Sequence, residues 1–233
     1  MLTSEEMYLL LTRANGDPEV AGAPAYFLGH GLTSGLTTDL VVAERVAVTV
    51  EPPARVHVLS TAPTGLLVLD WGLERIGDRD GRTLESTLRW GRFNPELAVV
   101  ESLVQAGVLE RGKRKLMGFG MQRAIQTSPE PKQRIRDRLA GVFAGDTAPT
   151  AQDASILAAL KSLGAAALLL GPISGAADPV ELDERIEALV AASPLPGGAV
   201  ARGILEIAPL APHHGSSANS TGTAGGSAGV VGF

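Results

Sequence analysis

The chain is 233 residues long, 45% hydrophobic and 19% charged, with a formal net charge of −5. That length suffices for one good core or two small ones, and an aromatic content of 4% makes the core aliphatic. The absence of cysteine excludes disulfides and thiolate metal sites, and a net acidic chain lacks the basic bias of a duplex-binding domain, so any polyanion site must be a local patch.

The opening MLTSEEMYLLLTRANG carries acids where a secretory signal needs cations, and no export signal is read there. Thr3 and Glu6 have capping-box spacing and Asn15-Gly16 is a stop, which predicts a helix over 4–13. After a Gly/Pro/Ala loop, Leu32, Leu36 and Leu40 predict a second helix ending near Glu44. The period then changes to two. Val46, Val48 and Val50 alternate, as do Val56 and Val58, around Glu51-Pro52-Pro53-Ala54, which predicts a β-hairpin.

Leu66, Leu69, Leu73 and Ile76 mark one face of a helix, and 83–90 reads as a short one. Asn94-Pro95 caps a helix over 95–106 with Leu97, Val100, Leu103 and Val104 as its apolar stripe. Gly107 ends it, and 108–119 reads as a second hairpin. Ile135, Leu139, Val142 and Phe143 mark another helix. The apolar run 154–170 contains Lys161 and Gly164 and stops at Gly171-Pro172. A span needs about 20 apolar residues, so this run reads as a buried helix or helix pair. Asp178-Pro179 starts a helix with Leu182, Ile186, Leu189 and Val190, and a last helix covers 198–207. The sum is a mainly α chain. It forms a single helical-bundle domain over 1–208 with two short β-hairpins, and a Gly/Ser/Ala-rich tail over 209–233 that reads as disordered.

The stretch AGVLERGKRKLMGFG at 106–120 raises the functional question. Residues 107–113 match the first part of a phosphate-binding loop, but Arg114 stands where a magnesium-binding hydroxyl is required. That loop also runs from strand to helix, whereas here a helix leads into a strand-like run. Of His30, His57, His213 and His214, no two have metal-ligand spacing on a helix face. Gly31-Leu32-Thr33-Ser34-Gly35 is not a nucleophile elbow, because its serine is one place late. Asp70 reads as a polar position on an apolar helix, and no catalytic constellation is present, so the chain reads as a non-enzyme without cofactor or metal. A winged-helix reading of 95–119 fails because the helix carries Glu96 and Glu101 and no outward cation, so no nucleic-acid partner is expected.

A membrane-surface reading remains. Arg111, Lys113, Arg114 and Lys115 crowd the hairpin beside Leu116, Met117 and Phe119, and that pairing suits an anionic bilayer. Four cations at roughly 1 kcal/mol each give about millimolar binding. Dimerisation or a second patch is therefore needed, and Lys132, Arg134, Arg136 and Arg138 are candidates for the patch. The competing reading buries Leu116, Met117 and Phe119 and leaves the cations solvated.

LTSEEMYLLL at 2–11, TAPTGLLVLDWGL at 61–73 and LVQAGVLERGKRKLMGF at 103–119 together resemble the Golgi phosphoprotein 3-like family. Ala62-Pro63-Thr64-Gly65 is the most specific match, and the likeness runs over roughly 2–205. Composition, with lysine only at 113, 115, 132 and 161 and abundant Ala, Gly and Val, points to a high-GC bacterial branch. The resemblance implies a helical bundle and, from the eukaryotic members, peripheral binding to membranes through phosphatidylinositol 4-phosphate. It also implies self-association through the hairpin at 108–120 and, in eukaryotic members, an adaptor role that retains glycosyltransferases. The family's lipid pocket uses a tryptophan and three arginines, whose positions fall here on Pro24, Thr33, Phe93 and Glu96. None is kept, although Tyr26 and Arg92 lie close by in sequence.

The reading is therefore a cytoplasmic protein, peripheral at the inner face of a membrane. Anionic headgroups would be met by Arg89, Arg92, Arg111, Lys113, Arg114 and Lys115, and membrane contact or homo-oligomer assembly would use Leu116, Met117 and Phe119. The alternative is a soluble self-associating scaffold. No client protein follows from the sequence.

Overall fold

The computed structural model describes residues 1–24, 26–112 and 124–207. The tail reading for 209–233 lies outside these residues. Within them the chain is mainly α-helical, with two small antiparallel two-stranded sheets.

The centre is α2 (Tyr26–Val42), against which α1 (Thr3–Leu11) packs. All nine residues of α1 are buried. This requires partners for Thr3, Ser4, Glu5 and Glu6, since an unpaired buried polar group costs several kcal/mol. The Asp39 carboxylate supplies the first set. It accepts the backbone N–H of Thr3 at 2.7 Å, that of Ser4 at 3.0 Å and the Ser4 hydroxyl at 2.8 Å. A side chain from a different helix thus satisfies the orphan donors at the start of α1. One turn earlier on α2, a Cβ at Gly35 would lie 2.7 Å from Ser4 N and Cα, so only glycine admits this approach. Burial pushes the Asp39 carboxyl above the usual carboxylate range, against the bonds from Ser4 and Thr3 that pull it down.

The two glutamates reach other elements. Glu5 accepts the Leu2 N–H at 2.8 Å and the Ser102 hydroxyl of α5 (Glu96–Gln105) at 2.6 Å. Glu6 binds the Arg138 guanidinium of α6 (Glu130–Ala144) through both oxygens, and Arg138 Nε donates to Asp153 of α7 (Ala151–Ser162) at 2.8 Å. The predicted Thr3–Glu6 capping box is therefore corrected. Glu5 reaches back to the cap, and Glu6 is turned inward by an arginine 132 positions away. The helix also ends at Leu11 rather than 13.

α2 is buried nearly all round although it is rich in hydroxyls. Most of the hydroxyls find an acceptor one turn back, and Thr33 reaches Phe93 O. Ser34 donates to His30 O and Thr37 to Thr33 O, while Thr38 Oγ1 lies 3.2 Å from Ser34 O and 2.6 Å from Ser155 Oγ of α7, hydrogen-bonding with both. The run 154–170 is a buried α7 followed by α8 (Ala166–Leu169), a helix pair as expected, though α8 buries only Ala166 and Leu169 and leaves Leu168 exposed. A one-turn α9 (Gly171–Ser174), α10 (Pro179–Ala192), capped by the Asp178 side chain, and α11 (Gly198–Glu206) complete the bundle.

The first hairpin pairs β1 (Val46–Val48) with β2 (Val56–Val58) in the register Val46↔Val58, so Val50 lies beyond it. α3 (Leu67–Ile76) buries Leu69, Leu73 and Ile76 as predicted, with Leu66 exposed at its cap. Asp70 is corrected from a passive polar position. It accepts the Thr64 N–H at 2.6 Å, the Thr64 hydroxyl at 2.8 Å and the Gly65 N–H at 3.0 Å, and so shapes the Ala62-Pro63-Thr64-Gly65 turn. A short α4 (Leu84–Leu88) precedes α5. In α5 the buried face is Ala98, Val99 and Leu103, whereas Leu97 is 78% exposed. Of the predicted stripe, Leu103 is buried and Val100 and Val104 are half-buried against the core, so only Leu97 is misplaced, with Ala98 and Val99 facing inward in its stead.

Gly35→Ala is expected to lose about 1–3 kcal/mol and Asp39→Asn about 2–3 kcal/mol in chemical denaturation. Wild-type stability in either variant would contradict the docking described. The bonds from Thr64, backbone first, hold the Asp70 carboxyl below its ordinary range. A depressed folded pKa stabilises above the unfolded value of about 3.9 and is lost as pH falls through the folded value. Asp70→Asn should therefore flatten the acid limb of a stability–pH curve, and an unchanged limb would refute this.

Candidate lipid-contact site

Gly107, with φ of 70°, closes α5. Its N–H donates to Val104 O at 3.0 Å and that of Val108 to Leu103 O at 2.9 Å. β3 (Leu109–Arg111) then pairs antiparallel with β4 (Ala124–Gln126) in the register Leu109↔Gln126 and Arg111↔Ala124. A helix leading into a strand is the reverse of a phosphate-binding loop. The described pairing puts return-strand residues at 124–126, beyond the predicted 108–119, whose residues from 113 on lie outside the described part. The described part of the return strand is anchored to the bundle. Gln126 N–H donates to Ala14 O at 2.9 Å, its side chain reaches Thr12 O at 3.3 Å, and Thr127 N–H donates to Val108 O at 3.0 Å. Lys113, Arg114, Lys115, Leu116, Met117 and Phe119 lie outside the described residues.

The described candidate cations differ in what already holds them. Arg111 is ion-paired with Glu101 on α5, so its charge is compensated within the body. Arg89 pairs with Glu85 one turn back at 3.1 Å. Arg92 is exposed in the 3-10 turn Gly91–Phe93 and pairs with no described carboxylate. On α6 the second patch is reduced. Lys132 donates to Thr12 O at 2.9 Å and pairs with Glu19. Arg138 faces Glu6 and Asp153, and these bonds, Glu6 first, hold it above the usual guanidinium range. Only Arg134 and Arg136 of that group pair with no described carboxylate.

The fold brings three of the family pocket positions to one region. The Thr33 hydroxyl donates to Phe93 O at 2.9 Å, and Glu96 follows in the first turn of α5. The Asn94 side chain packs against Gly29, where a Cβ would lie 3.1 Å from its amide nitrogen. Tyr8 is buried beneath, its phenol pushed up to about 12 by burial and by Glu96. A carboxylate and a neutral phenol do not make a phosphate pocket. At its rim Tyr26 packs against His30 with the rings tilted and their centroids 5.0 Å apart.

Sequence reasoning missed an arginine–aromatic stack beside this region. Phe93 stacks with Trp71 at 6.0 Å and with Trp90 at 6.4 Å. Arg75 lies 4.2 Å over Trp71, and Arg79 lies 5.0 Å over Trp90. The Trp71–Arg75 spacing of one helical turn was the available signal; the Trp90 contact is tertiary and had none.

A profile of the family described as Golgi phosphoprotein 3 (GPP34) matches residues 4–207. No curated protein matches the chain at a significant level. The matched span runs from α1 to the end of α11 and includes both the Asp70-capped turn and the anchored hairpin. The chain therefore belongs to the Golgi phosphoprotein 3 family.

Proposed function

We propose that this chain is a peripheral membrane-binding, adaptor-like protein, a binding protein rather than an enzyme, that meets anionic lipid headgroups at the cytoplasmic face of a membrane. One observation carries the reading. β3 and β4 tie both ends of the segment 112–123 to the bundle, and its sequence GKRKLMGFGMQR joins cations to apolar side chains. Among the described residues no helix is long and apolar enough to cross a membrane.

With Arg111 paired to Glu101, Lys113, Arg114 and Lys115 would contribute about 3 kcal/mol of surface attraction, which is weak for one copy. Glu96 at a pocket position where the family has an arginine argues for a general anionic surface over specific phosphatidylinositol 4-phosphate recognition at that pocket. The internal pairing of Arg111, Lys132 and Arg138 favours a second reading, a soluble scaffold that self-associates through the same hairpin.

Co-sedimentation with neutral and anionic vesicles, at low and physiological salt, separates the two. Salt-sensitive binding to anionic vesicles, lost in Lys113→Glu/Arg114→Glu, is expected. Absence of binding to every vesicle would refute membrane contact and leave self-association.

A further inference from the structure

The turn after α3 is sewn onto the first hairpin. Gly81 N–H donates to Val56 O at 2.8 Å, Val56 N–H to Arg82 O at 2.9 Å, and Leu84 N–H to Ala54 O at 2.7 Å. These bonds fix the backbone of 79–84 beside Arg55 and gather Arg55, Arg79 and Arg82 at one corner of the molecule. Arg55 Nη1 donates to Gly81 O at 2.8 Å. Arg79 is the most constrained of the three. Its guanidinium lies over Trp90, its Nη2 donates to Ser86 Oγ at 2.7 Å, and its Nε is buried without an acceptor.

None of the three pairs with a described carboxylate. The nearby acids are otherwise placed. Asp80 accepts the Val58 N–H at 3.0 Å and lies 3.9 Å from His57, while Asp78 is exposed in the turn. Burial, and then the adjacent Arg82, lower the proton affinity of Arg79, with Asp78 opposing. Two like charges are therefore held close, Arg79 partly desolvated and Arg82 exposed to solvent. Guanidinium forks match the oxygens of a phosphate group, and such charge-assisted bonds are stronger than neutral ones.

We propose that Arg55, Arg79 and Arg82, with Ser86 orienting Arg79, form a phosphate-binding corner that takes a phosphate group from a lipid headgroup or from solution. It is distinct from the hairpin and from the altered pocket around Glu96, and it does not depend on the membrane reading.

Calorimetric titration of the full chain with inorganic phosphate, against a chloride control of matched ionic strength, tests it. Binding is expected to weaken about tenfold in Arg79→Gln, the loss of one charge-assisted bond, and to vanish in Arg82→Glu. Arg82 is exposed and bonds to no described side chain, so its variant should keep the wild-type melting temperature. No phosphate binding, or binding unchanged in Arg82→Glu, overturns the proposal. Vesicles bearing phosphatidylinositol 4-phosphate identify the source. Joint loss of phosphate and vesicle binding in Arg82→Glu supports a lipid headgroup, and loss of phosphate binding alone supports a soluble phosphate. Failure of the hairpin reading shows separately, as vesicle binding that survives Lys113→Glu/Arg114→Glu.

Discussion

The docking of α1 against α2 through Asp39 and Gly35 is the constraint on which the bundle depends. A helix start carries unsatisfied N–H donors, and burying one is unfavourable unless acceptors come with it. Asp39 provides them, and Gly35 removes the side chain that would hold the backbones apart. Once the two helices meet, Glu5 faces α5 and Glu6 faces α6 and α7. Four consecutive polar residues thus dictate the arrangement of four other helices.

The same logic of matched burial runs out to the surface. The Arg–aromatic stack joins α3 and α4 to the turn at 91–93, whose Phe93 carbonyl is held by Thr33. The hairpin base hangs on the end of α1 through Ala14 and Thr12. Many cations that look available in the sequence are fastening elements. Arg111 closes the hairpin base on α5, Lys132 closes the loop after α1, and Arg138 closes the core. The positive charge that stays unpaired is consequently sorted into a few places, and net composition does not locate them.

Most elements were legible because their apolar periods are strong. Leu32, Leu36, Leu40 and Leu139 are wholly buried and Ile135 nearly so, and the helix pair α7 and α8 was correctly separated from a membrane span. The errors fell where long-range polar contacts override local pattern. Glu6 fitted a local cap but is claimed by Arg138, Asp70 looked passive but organises a turn, and Leu97 fitted a stripe whose other members pack inward while it stays exposed. The candidate site was less legible for the same reason. Whether an arginine is free depends on which carboxylate the fold brings near it, and spacing along the chain does not carry that information.

The all-buried α1 has a consequence for how the chain is made. It precedes every partner in sequence, with Asp39 reached after 36 residues, Ser102 after 97 and Arg138 after 132. During vectorial synthesis the helix therefore emerges long before the side chains that satisfy its polar groups. Until α6 and α7 leave the ribosome, Glu6 has no counterion and the apolar face of α1 no complete cover. Contacts of such high sequence separation slow folding and prolong exposure of sticky surface. The nascent protein is thus most in need of a chaperone in the interval between the synthesis of α2 and that of α7.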